Sequence, residues 1–217
     1  MISRSVALVA LAGSALVLGG CARNGELDVT SGVGITASRT VCPAVGIPAH
    51  TGDITLFDPP QSRDAAAIDV VATITNLRTN CNPDGAQVYS TTSFDVVATR
   101  LRAGPAREVV LPYYSAVVQG GTQIVSKDES RLVVRFEDGQ TRATARGAVS
   151  AYVDRAAATL PDEIRERITR RRRAGDDDAA VDPLADPEVR AAVARATFEQ
   201  FLGFALTRDQ LAYNVTR

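Results

Sequence analysis

A period-two alternation of apolar and polar residues, renewed several times between residues 68 and 153, constrains this chain more than any other feature. It predicts half-buried strands and argues against a helical body. In IDVVATITNL, residues 68–77, the side chains of Ile68, Val70, Ala72, Ile74 and Asn76 share one face, and Asn80-Cys81-Asn82-Pro83-Asp84-Gly85 is expected to break the run. Residues 90–101 (STTSFDVVATRL) and 108–118 (EVVLPYYSAVV) are rich in β-branched and aromatic residues. Pro112 has no N–H to donate, which places the second of these at an edge or a bulge. Residues 131–136 and 141–149 flank Glu137-Asp138-Gly139-Gln140, and Asp-Gly between alternating segments predicts a type I′ turn joining an antiparallel pair. Shorter candidates at 35–41, 53–57 and 122–126 bring the total to seven or eight strands.

Strands of that number, separated by turns at such intervals, suit a mainly β fold. The expectation is an immunoglobulin- or fibronectin-like antiparallel β-sandwich over residues 35–153, with a helical C-terminal region of two helices over 154–217 and an acidic linker at 174–185. Thr159-Leu160-Pro161-Asp162 resembles a capping arrangement, and Ile164 and Ile168 share a helical face. Acidic residues early and Arg170, Arg171, Arg172 and Arg173 late match the helix dipole, so the first helix is read as ending near Arg173, with Gly175 as its stop. Asp186 and Pro187 read as the N-cap and first position of a second helix reaching about Leu206. On it, Phe198, Phe201, Leu202 and Phe204 either pack the helix onto the body or offer it to a groove on a partner protein.

The N-terminus carries a different signal. Arg4 precedes an uncharged apolar run from Val6 to Leu18, too short at 1.5 Å rise for a hydrocarbon core of roughly 30 Å and laid out like a cleavable signal peptide. Leu18-Gly19-Gly20-Cys21 closes it. This tetrapeptide resembles the lipobox of bacterial lipoproteins. The resemblance covers only residues 1–21 and implies cleavage before Cys21, lipidation of its thiol by diacylglycerol, and an amide-linked acyl chain such as palmitate. Two lipid attachments meet the requirement for stable anchoring. Ala22 stands where an aspartate would imply inner-membrane retention, so the implied location is the outer membrane, facing the periplasm. Residues 21–34, rich in Gly, Ser, Asn and Asp, read as a lipidated tether of about 20 Å as a coil.

With Cys21 acylated, Cys42 and Cys81 remain as a pair in an oxidising compartment, and a disulfide is expected; the alternative is free thiols, for which the spacing lacks C-x-x-C. Closing a loop of about forty residues would stabilise the fold by roughly 4 kcal/mol in the chain-entropy estimate. A net charge of −1 gives no reason to expect nucleic acid, and 5 % aromatic residues without tryptophan disfavour a sugar-stacking platform. His50 is the only histidine, in a Gly/Pro-flanked loop, so multi-histidine zinc sites are excluded. No G-x-S-x-G, S-x-x-K, Walker or dinucleotide pattern is present, and Asp176, Asp177, Asp178 and Asp182 do not follow a calcium-loop spacing. Gly120-Gly121 reads as a turn. The arginine run is offset by the aspartates after it and reads as a solvated helix end. No catalytic, cofactor or metal residues are assigned. The expected function is a non-catalytic binding or envelope-assembly module whose partners are a membrane, through the lipid, and another envelope protein; the alternatives are a hydrolase with its site on the sandwich loops, or a purely structural lipoprotein.

Overall fold

The computed structural model describes residues 40–170, 172, 175, 176 and 180–216. The apolar run, the lipobox with Cys21, the tether, and most of the strand candidate at 35–41 lie outside the described residues, as do Arg171, Arg173 and residues 174 and 177–179 of the linker. Thr40 and Val41 are described and are not in a strand.

The chain runs β1 (Ala44–Gly46), β2 (Asp53–Phe57), β3 (Ile68–Asn82), β4 (Gln87–Arg100), β5 (Arg107–Gln119), β6 (Gln123–Phe136), β7 (Arg142–Asp154), α1 (Arg155–Ala158), α2 (Asp162–Thr169), α3 (Pro187–Arg195), β8 (Phe198–Phe204) and α4 (Arg208–Thr216). One sheet has the order β1-β8-β5-β6 and the other β2-β3-β4-β7, so the expected β-sandwich with helical additions is present. Side chains from both sheets meet in one apolar cluster that includes Ile54, Val70, Phe94, Leu111, Phe136 and Phe204. Among the pairs that strands β1 to β8 form, all are antiparallel except the short edge pair of β1 with β8.

The long strand β3 depends on a bulge. Its register steps from Thr75 opposite Asp95 to Arg78 opposite Ser93, so Asn76 and Leu77 together face Phe94. Asn76 adopts φ +54°, a left-handed conformation that asparagine tolerates better than most residues, and its Nδ2 donates to Asp95 Oδ2 at 2.7 Å. The extra residue inverts the rows: Val70, Ala72 and Ile74 are inward before it, Leu77 and Cys81 after it. Asn76 therefore leaves the inward row in which its sequence position placed it. Nor does the strand break at Asn80, because β4 continues to pair with it through Asn82; Pro83 ends it. The inversion brings Cys81 to Cys42, and the expected disulfide is formed, with 6.2 Å between Cα atoms.

The Asp-Gly turn forms but does a different job. Gln140 N–H donates to the Glu137 carbonyl at 3.1 Å and Gly139 has φ +71°. A type I′ turn needs positive φ at both central residues, and Asp138 does not have it. The chain crosses here between sheets, since β6 pairs with β5 and β7 with β4. The tight hairpin lies at Gly120-Gly121 (φ +62° and +75°), where Thr122 N–H meets the Gln119 carbonyl at 3.3 Å. The strand that follows is continuous, Gln123–Phe136, rather than the two separate pieces expected at 122–126 and 131–136. β5 lies between β8 and β6 and is not an edge strand. Pro112 sits just beyond the β5–β8 ladder, which ends at Tyr113–Phe204; its carbonyl accepts from Ala205 N–H at 3.0 Å and its missing N–H falls where the ladder stops.

The largest correction concerns the second helix. Asp186 does cap α3, accepting the Glu188 N–H at 2.8 Å, and Pro187 opens it, but the helix ends at Arg195 and residues 198–204 form β8. In FEQFLGF the inward row is Phe198, Gln200, Leu202 and Phe204, all buried, while Phe201 points outward and is half-buried. A polar residue in the inward row and an aromatic in the outward one hid the period of two. Gln200 is accommodated by a chain of hydrogen bonds across the sandwich: Thr79 Oγ1 to Thr92 Oγ1 at 3.0 Å, Thr92 Oγ1 to Gln200 Oε1 at 3.1 Å, and Gln200 Nε2 to Ser115 Oγ at 3.0 Å. This polar belt divides the main core from a second cluster of Val88, Val117, Ala151, Val153 and Phe198 beside the disulfide. Because β8 lies between β1 and β5, the C-terminal region is part of the sandwich and no domain boundary falls at residue 154. The first helix, α2, also stops earlier than expected, at Thr169; Ile164 packs with Val189 and Ala192 of α3, and Arg167 pairs with Asp186 and Glu188.

Gly147 is inward on β7, opposite Phe94, and a Cβ there would lie 2.3 Å from the ring's Cζ. The glycine makes room for the ring. Gly147→Ala is expected to lower unfolding free energy by about 1–3 kcal/mol through overpacking, read as a shifted urea midpoint with an unchanged slope.

Candidate functional site

The outward face of the β3-β4-β7 sheet carries a set of partnered polar side chains. Its rows follow from the register: Asn82, Tyr89 and Tyr152; Asn80, Thr91 and Ser150; Arg78, Ser93 and Ala148; Thr75, Asp95 and Arg146. Alternation puts these side chains on one surface, and the bulge at Asn76 keeps β3 in phase with its neighbours there.

Asp95 is the only carboxylate in these rows. Arg146 Nε donates to its Oδ1 at 2.9 Å and Asn76 Nδ2 to its Oδ2 at 2.7 Å, so both oxygens are engaged. These bonds, that from Arg146 foremost, hold the Asp95 carboxyl below its ordinary range. The arrangement keeps the group ionised and fixes the bulge; it does not leave a free oxygen for proton abstraction. A depressed folded-state value contributes stability that is present above the ordinary value of 3.8 and is lost as pH falls through the depressed one. Asp95→Asn is therefore expected to lower the melting temperature at neutral pH, with the gap to the parent protein closing on acidification below about pH 4. A gap that stays constant down to pH 2 would show that the charge is irrelevant.

At one end of the same face the rings of Tyr89 and Tyr152 lie 4.9 Å apart, tilted by 38°, and are 39 % and 60 % exposed. Tyr89 Oη is 3.1 Å from Ser150 Oγ, and this bond, with one from Thr91, lowers the phenol's pKa from its ordinary value. Sequence inspection missed the pair. Each tyrosine is unremarkable in its own strand, and only the β4–β7 register makes them neighbours.

The residues singled out from sequence fall elsewhere. Cys42 and Cys81 are joined at the end of the sandwich where β1 begins. Phe198, Leu202 and Phe204 are core side chains of a strand flanked on both sides, so the docking helix proposed for them does not exist. His50 is exposed in a loop with φ +65°; its carbonyl accepts from Asn214 Nδ2 at 2.9 Å, and among the described residues no hydrogen bond to its ring is formed. That bond and a second, from Asn214 Nδ2 to the Asp53 carbonyl at 2.8 Å, hold α4 against β2, helped by the edge-on contact of Tyr213 with Phe57 at 5.1 Å. Among the described residues no group of three or more His, Cys, Asp or Glu side chains is placed to hold a metal ion. No described helix is long and apolar enough to cross a membrane.

Arg100, the last residue of β4, is 3 % exposed. Its guanidinium donates to the carbonyls of Gln140, Pro105, Gly104 and Glu137 and lies 5.2 Å over the Phe136 ring. A buried cation is a frequent mark of function, but here it clamps two of the chain crossings, residues 101–106 and 137–141, with four of its five N–H donors. What this chain offers chemically is a firm body with a polar sheet face and an aromatic pair at one end. No protein-family model, curated protein or solved structure matches it.

Proposed function

We propose that this protein is an outer-membrane lipoprotein, facing the periplasm, whose β-sandwich serves as a non-catalytic binding or assembly module for another component of the envelope. One observation carries the reading: an uncharged apolar run ends in Leu18-Gly19-Gly20-Cys21, with a folded body described from residue 40 onward. The disulfide between the two remaining cysteines supports it, because such bridges persist outside the reducing cytosol. The interior supports the non-catalytic part: the buried polar groups Gln200, Thr92, Ser115 and Arg100 hold strands and crossings together.

The test is acylation. Metabolic labelling with an alkyne fatty acid is expected to mark the wild-type chain and to leave Cys21→Ser unmarked, unprocessed and in a different membrane fraction. Absence of label from the wild type, or identical processing and fractionation of Cys21→Ser, would remove the lipoprotein reading. A partner is best sought by in vivo crosslinking from exposed positions of the intact chain, since removing the C-terminal region takes a core strand with it.

A further inference from the structure

Resting on the lipoprotein reading above, we infer that the disulfide end of the sandwich is its membrane-facing end, and that Tyr89 and Tyr152 form a second, non-covalent contact with the headgroup region of the bilayer. The first ground is where the chain leaves the described body. The start of β1, the start of β8, the end of β7 and the Cys42–Cys81 bridge are gathered at one end, as the register of both sheets requires. Nineteen residue steps separate Cys21 from Thr40. A coil of that length spans about 25 Å, and a fully extended chain about 65 Å. β4, with 14 residues, is itself about 45 Å long. A lipid on Cys21 therefore keeps the disulfide end near the surface and lets the opposite end project away from it.

The second ground is what that end presents. Tyr89 is near the start of β4 and Tyr152 near the end of β7, so the exposed pair sits at the tethered end of the outward face. A tyrosine has an apolar ring and a polar tip, the combination that settles at a membrane–water boundary. Asn80 and Asn82 beside the pair offer amides to headgroup oxygens, and Arg155, exposed just after β7, offers a cation to phosphate. Two rings bind a bilayer weakly in free solution. Tethering changes that, because a short linker raises the local concentration to the millimolar range, where a contact of millimolar affinity is occupied.

The chain contains no tryptophan, so single reporters can be introduced into the full acylated protein. The test places Tyr152→Trp or Leu101→Trp in vesicles of phosphatidylethanolamine and phosphatidylglycerol containing headgroup-labelled quencher lipid; Leu101 is 56 % exposed and lies just beyond the other end of β4. The expected result is a several-fold steeper quenching slope for Tyr152→Trp than for Leu101→Trp, with acylation of Cys21 verified by mass spectrometry. Equal slopes, or no quenching of either, in acylated protein would overturn the contact and leave the anchor standing. Protein that is not acylated in its native host would overturn both. An emission shift of Tyr152→Trp caused by soluble murein glycan, without lipid quenching, would overturn the contact in favour of a glycan surface. A second pair of variants guards against misfolding: Tyr89→Thr with Tyr152→Thr keeps β propensity and should give the Leu101→Trp reporter stronger quenching as the body loses its orientation.

Discussion

Deleting residues 198–217 is expected to leave no folded domain, with no sigmoidal thermal transition by circular dichroism and collapsed amide dispersion by NMR. β8 lies between β1 and β5, so its loss strips β1 of its partner and opens one flank of β5. Phe198, Leu202 and Phe204 are each 7 % exposed or less. Truncating a side chain of this kind to alanine costs about 2–5 kcal/mol, and the whole stability of a domain is only about 5–15 kcal/mol. Losing three such side chains together with their ladder exceeds what the rest can supply. Removing residues 207–217 instead takes α4 and the Asn214 bonds but spares the sheet, and that shorter deletion is expected to melt cooperatively at a lower temperature. If the 198–217 deletion melted cooperatively, the placement of β8 would be wrong.

Arg100→Met is expected to cost about 4–5 kcal/mol, more than the glycine substitution at position 147, and to lower the urea midpoint accordingly. Methionine preserves much of the side chain's length and apolar contact but withdraws the donors that hold Gly104, Pro105, Glu137 and Gln140. Hydrogen bonds to a charged group contribute about 1.5–3 kcal/mol each; the partly exposed carbonyls regain water, which keeps the total below the sum. The stacking of the guanidinium on Phe136 is lost as well. Hydrogen exchange should locate the damage, with faster exchange in residues 101–106 and 137–141 and little change near the disulfide. A loss under about 1 kcal/mol, the net value of one ordinary hydrogen bond, would mean that the crossings hold themselves.

The strands that read clearly from sequence were those whose inward row is uniformly apolar up to its first irregularity. The 53–57 candidate coincides with β2, and the starts of β3 and β5 fall within a residue of their expected places. The misreading of β8 has a physical origin, which is that an inward row can carry a polar residue when side chains of other strands satisfy it. Gln200 does so through Thr92 and Ser115, partners remote in sequence, and its presence made FEQFLGF look like the end of a helix. Asn76 is the mirror case: it fits the alternation and yet lies outside it, because its left-handed backbone and its bond to Asp95 create an extra residue. Local patterns cannot anticipate an inversion set by a side chain on another strand. The Asp-Gly turn lies where the sequence places it and joins the expected strands, β6 and β7, but these pair with β5 and β4 and not with each other, since turn chemistry fixes a reversal and leaves open whether the returning strand joins the same sheet.

The exposed tyrosine pair, the only feature of the candidate surface with an aromatic character, depended on register and was not legible beforehand. The disulfide is legible, because once the lipobox resemblance sets Cys21 aside only Cys42 and Cys81 remain, and two cysteines admit one bridge.

The order of strands also sets a timetable. The first strand of one sheet waits for β8, so a ribosome that has released the β2-β3-β4-β7 sheet entire, which is complete by Asp154, has still not released the strand that the β1-β8-β5-β6 sheet needs. Pairings between distant segments close slowly, since the intervening loop must be ordered before any contact rewards it. A nascent chain with this topology keeps one sheet unfinished, and the sandwich open along that side, until residues 198–204 are free.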